Sequence, residues 1–145
     1  KGRRLKFFWA AIAAVFFSAS LAVLVHLYPG IYSITDWGKK IVLAGQTIDQ
    51  KTPKGSYVIA SYDTGPIQLY YCHRKGWIFD MISQKNDKEL IRSFEELRKD
   101  GADYFVTSMR DWLHSKHEFE KYLRNEYAVF EENADFIIFD LKKIS

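Results

Sequence analysis

Residues 7–28, FFWAAIAAVFFSASLAVLVHLY, contain no Asp, Glu, Lys or Arg, and nothing else in the chain limits its fold so sharply. As a helix this run spans about 33 Å, against a hydrocarbon core of about 30 Å. Trp9 lies near one end and Tyr28 and Tyr32 near the other, where amphipathic rings favour the headgroup level. Pro29-Gly30 is read as the stop of the helix. Lys1, Arg3, Arg4 and Lys6 precede the run and predict a cytoplasmic flank. The expectation is a transmembrane segment over residues 1–33, with its helix at about 7–28, and an extracytoplasmic domain over 34–145 of a cell-membrane protein.

A secretory signal is the competing reading, with Ser18-Ala19-Ser20 as its cleavage site. The apolar stretch continues through 21–27, which would leave a greasy arm on the mature protein, so the membrane span is preferred. His26 near the outer end is read as interfacial rather than as a proton relay. A chain that begins at Lys1 is read as processed, trimmed, or the tail of something longer.

Charge narrows the function classes. The chain of 145 residues carries 21 basic and 18 acidic side chains, a net +3. Four of the basic ones fall in the first six positions, so the rest of the chain is close to neutral and offers no nucleic-acid face. Cys72 is the only cysteine, which excludes an internal disulfide framework and a Cys-built zinc site.

Beyond residue 34 the pattern becomes a strand–helix alternation. Asp36 caps a helix after Thr35, with Trp37, Ile41, Ala44 and Ile48 at helical spacing. Residues 51–55 (KTPKG) form a turn and 57–61 (YVIAS) a buried strand. A short helix starts at Pro66, runs to Arg74-Lys75 and is ended by Gly76. Residues 77–80 (WIFD) are the second strand. Asn86 or Asp87 caps a helix with the stripe Leu90, Ile91, Phe94 and Leu97, stopped by Gly101. A third strand covers 102–107, and Phe119, Tyr122 and Leu123 mark a helix near 115–126. Residues 127–131 and 136–141 flank ENAD as a hairpin. The fold class expected is α/β: a small, mostly parallel sheet with flanking helices and a C-terminal antiparallel hairpin supplying edge strands, preceded by one transmembrane helix.

Ligands in such sheets sit beyond the carboxyl ends of the strands. Those ends place Asp63, Asp80 and Asp111 on one rim with Arg110 and Trp112, a mixture suited to a sugar or its phosphate. Paired carboxylates also serve glycoside chemistry. Asp equally favours turns and helix caps, and that reading is preferred, so the five residues stand as an acceptor or ligand rim and no catalytic residue is assigned. Residues 62–66 (YDTGP) lack the spacing of a phosphate loop. Asp111, His114, His117 and Glu118 are read as a solvated face rather than a metal site, and no cofactor is expected in this chain. Cys72 and His73 diverge by about 100° on a helix and cannot act as a nucleophile pair. Of the abundant aromatics, Tyr57, Trp77, Phe79, Tyr104 and Phe105 are assigned to the core, and Trp37 and Trp112 to packing.

Residues 69–77 (LYYCHRKGW), 97–106 (LRKDGADYFV) and 138–141 (IFDL) carry a resemblance. The chain resembles the last transmembrane helix and extracytoplasmic C-terminal domain of GT-C type glycosyltransferases, the group of dolichyl-phosphate-mannose–protein mannosyltransferases and aminoarabinose transferases. The resemblance implies a non-catalytic part of an enzyme that moves a sugar from a polyprenyl-phosphate carrier to an extracytoplasmic acceptor. Its partners would be membrane lipid, the remaining transmembrane helices, and a lipid-linked sugar or glycan acceptor. The family's catalytic Asp lies in the first outer loop, and no position here corresponds to it. The alternative is a single-pass membrane protein whose outer α/β domain binds a ligand or partner.

Overall fold

The computed structural model describes residues 2–32, 35–61, 65–84 and 86–142. It divides into two compact units, Lys1–Thr35 and Asp36–Ser145.

The first unit is one helix, α1 (Gly2–Tyr32). It does not stop at Pro29-Gly30 as expected but continues to Tyr32. Among the described residues no helix is long and apolar enough to cross a membrane, which overturns the transmembrane span. The helix interleaves Ala13, Ala14, Ala19 and Ala22 with Ser18 and Ser20, residues that contribute little apolar surface. The Ser18 hydroxyl turns back to donate to the Ala14 carbonyl at 2.8 Å.

The second unit runs α2 (Asp36–Lys51), β1 (Tyr57–Ser61), α3 (Ile67–Cys72), β2 (Lys75–Ile78), α4 (Asp87–Lys99), β3 (Tyr104–Thr107), α5 (Arg110–Ser115), α6 (His117–Glu126), β4 (Ala128–Glu132) and β5 (Ile137–Asp140). The sheet order is β2-β1-β3-β5-β4. β1 lies parallel to β2 and to β3, while β5 lies antiparallel to β3 and to β4. The sheet is therefore mixed, with parallel and antiparallel pairings in equal number, and the expectation of a mostly parallel sheet is corrected. The closing hairpin does not supply two edge strands either. All four residues of β5 are buried, and a strand buried on both faces belongs inside a sheet. β4, with its part-exposed residues and a register shift between Val129 and Glu131, takes the edge.

Alternation along the strands builds two cores. Ile59, Phe105, Ile137 and Phe139 face Leu90, Phe94, Leu113, Phe119 and Leu123 of α4, α5 and α6. Val58, Ala60, Tyr104, Val106 and Ile138 face Ala44, Ile48 and Cys72 of α2 and α3. Helices thus cover both faces of the sheet. Of the aromatics assigned to the core, Phe79, Tyr104 and Phe105 are buried, Trp77 is half-buried and Tyr57 is 41% exposed. Trp37 and Trp112 are exposed rather than packed.

The α3–β2 passage departs most from expectation. The helix ends at Cys72, and His73, at φ 47°, takes the left-handed cap position expected of Gly76. β2 consequently starts two residues early. Gly76 lies inside it, where a Cβ would come within 1.8 Å of the Val58 carbonyl oxygen, so only glycine allows β2 to approach β1 this closely. Asn86 caps α4 as expected, its side chain accepting from the Lys88 amide, and Gly101 leaves the helix at φ 105°. α5 is a short helix with no counterpart in the expected order.

Candidate functional site

Of the rim residues expected beyond the parallel strands, Asp80 and Arg110 are engaged by other partners. Asp63 lies outside the described residues. Asp80 is closed on its own turn: its carboxylate accepts the amides of Ile82 at 2.8 Å and Ser83 at 3.0 Å, and the Ser83 hydroxyl as well. Burial works against its charge, yet these three hydrogen bonds hold its pKa below the usual value. Arg110 opens α5 and turns to β4, where Nη1 lies 2.6 Å from Glu132 Oε1. Asp111 is exposed in the first turn of α5, and Trp112, 40% exposed, offers its carbonyl to Ser115.

Arg110 belongs instead to an ion-pair network that ties α5 and α6 to β4. Arg124 reaches Glu120 at 2.9 Å and Glu132 at 2.8 Å, and His114 Nδ1 lies 2.7 Å from Glu120 Oε2. Among the described residues, no group of three His, Cys, Asp or Glu is placed to hold a metal ion. Cys72 is fully buried, and desolvation pushes its thiol pKa up to about 12. It is a core residue, not a nucleophile.

A groove of about 750 Å³ lies elsewhere, where β1 and β2 begin and α3 ends. Lys54, Tyr57, Leu69, Tyr70, His73 and Lys75 line it, with Pro66 and part of Arg74. α3 and its two cap residues supply one wall through Pro66, Leu69, Tyr70 and His73. Tyr57 and Lys75 are register partners across β1 and β2, which sets a ring beside an ammonium group. The Tyr57 ring packs against Trp77 with centroids 5.8 Å apart, and Tyr70 remains 70% exposed.

Behind the groove, Arg74 organises the cationic end. Its guanidinium is fully buried and donates to Asp49 Oδ1 at 2.7 Å and to the carbonyls of Thr52 and Pro53 at 2.9 and 3.1 Å. It thereby satisfies carbonyls left open at the end of α2. Asp49 also accepts Lys54 Nζ at 2.6 Å and faces His73 Nδ1 at 3.3 Å. Hydrogen bonds from Lys54, then Arg74 and His73, hold its carboxyl well below the usual carboxylate range. The groove is thus basic where α3 ends and apolar and aromatic where α3 begins.

The residue pattern contained one signal for this site, the spacing of Tyr70, His73 and Lys75 around Cys72 and Arg74. Tyr57 and Trp77 masked it, because β-strand aromatics read as core. No protein-family model, curated protein or solved structure matches the chain. With no such match and no membrane-crossing helix among the described residues, the resemblance to GT-C type glycosyltransferases is not upheld.

Proposed function

We propose that the unit Asp36–Ser145 is a binding module whose groove takes an amphiphilic anion. The observation that carries this reading is the polarity of the groove, with Lys54, His73 and Lys75 at one end and Tyr57, Leu69 and Tyr70 along its walls. Ligand sites pair a mostly apolar lining with a few placed polar groups, and this groove has that composition. An anionic head meets the lysines, and an apolar chain or ring lies against Leu69 and Tyr70. Three carboxylates are committed elsewhere, Asp80 to its turn and Glu120 and Glu132 to arginines.

Titration of the chain with hexyl phosphate, followed by amide chemical shifts and Trp77 fluorescence, tests the reading. Saturable changes at Tyr57, Tyr70 and Lys75 are expected. Lys75→Gln should weaken binding roughly tenfold, the loss of one hydrogen bond to a charged group. No change at the groove residues up to millimolar ligand would sink the proposal.

A further inference from the structure

We propose that the groove selects a doubly charged head group, that of a phosphate monoester, over a singly charged one, and that Asp49 sets this threshold. The inference rests on the binding reading above and concerns the charge its ligand must carry. Three cationic side chains without such a constraint would accept any anion, but here the charges are already partly matched. Arg74 and Asp49 form an inner pair at 2.7 Å, and the remaining Arg74 donors are committed to carbonyls around the end of α2. Asp49 is thus shared between Arg74 and Lys54, and the guanidinium, buried behind the groove, spends its donors on Asp49 and on carbonyls. Lys54 and Lys75 remain, two positive charges on one groove.

Lys54 is itself engaged by Asp49. Its ammonium lies 2.6 Å from Asp49 Oδ1 and donates to the Asp49 carbonyl at 3.1 Å. His73 stands on the same carboxylate through Oδ2 at 3.3 Å. A ligand carboxylate or phosphodiester offers Lys54 a single negative charge, which Asp49 already supplies at contact distance. Exchange of one for the other brings no electrostatic gain. A phosphate monoester carries nearly two negative charges at neutral pH and has three acceptor oxygens. It can draw Lys54 across while holding Lys75, and its charge matches both lysines together. Asp49 thus acts as an internal competitor that singly charged ligands fail to displace.

Phenyl phosphate and its singly charged diester, methyl phenyl phosphate, separate the possibilities because they share the ring and differ by about one charge at about pH 8. Calorimetric titration of the full chain should show the monoester bound at least about tenfold more tightly, with shifts at Tyr57 and Tyr70 for both. In Lys54→Gln, a change at an exposed side chain, that preference should fall to about threefold or less. Asp49→Asn should tighten the diester by releasing Lys54, and Lys54→Gln decides the matter if loss of the Arg74 partner unfolds that variant. Equal affinities at the groove, or a preference unchanged in Lys54→Gln, would overturn the charge threshold and leave the binding module standing. If neither compound moves a groove residue, the binding reading falls with it.

Discussion

Arg74 shows how far one side chain can differ from its composition class. An arginine between His73 and Lys75 reads as a solvated charge, because the residue type is mostly exposed. Its side chain is instead 0% exposed, bound by Asp49 and by carbonyls of Ile48, Asp49, Thr52 and Pro53. Nothing in a linear pattern announces such a role, since most of its partners are main-chain oxygens that every sequence contains. Arg74→Met should therefore remove about 3 kcal/mol of stability, leaving Asp49 short of its partner and several carbonyls open. Urea unfolding measures this directly, and a loss below about 1 kcal/mol would show that the fork is dispensable. Asp80 behaves in the opposite way, spending its carboxylate on its own turn by accepting the amides of Ile82 and Ser83.

Among the elements, those with a long apolar stripe were legible and those defined by a single contact were not. The stripe Leu90, Ile91, Phe94 and Leu97, with Asn86 and Gly101 at its ends, marks α4 nearly to the residue. α5 has six residues and one buried side chain, Leu113, too few to show a period. Besides Leu113, the ion-pair network with α6 and β4 ties α5 to its neighbours, and this has a pH signature. Hydrogen bonds from Arg124, then Arg110, hold the Glu132 carboxyl down to about 2, against an ordinary value of 4.5. Because the folded-state pKa is the lower one, the unfolded chain takes up the proton first as pH falls. The contribution of Glu132 is complete above about pH 4.5 and is lost as the pH falls towards about 2. Urea midpoints between these values should decline less steeply in Arg124→Met than in the unaltered chain. Equal slopes would show that Glu132 owes nothing to Arg124.

For the molecule as a whole, the residue pattern marks strands but not which strands are neighbours. The strands that hold Val106 and Ile138 are legible over 102–107 and 136–141, while their pairing across an antiparallel ladder is not. That missing information turned a mixed sheet into an expected parallel one. Among the described residues, the two cores of the second unit draw on residues 44–141, and residues 36–145 should fold as a self-sufficient body. Expressed alone, they are expected to unfold in one urea transition, with fluorescence and far-ultraviolet circular dichroism coincident. Separated transitions would show that the two cores do not cooperate.

The interior position of β5 has a consequence for biosynthesis. β4 pairs with β5 alone among the described strands, and β3 needs β5 to close its second side. β5 is also the last of the five strands to leave the ribosome. Until residues 137–140 emerge, Val106, Phe105 and the facing helices lack the strand that completes both cores. The nascent unit therefore closes late and all at once. A chain stalled or clipped before β5 leaves an open apolar seam down the middle of the sheet, the kind of surface that chaperones and proteases recognise.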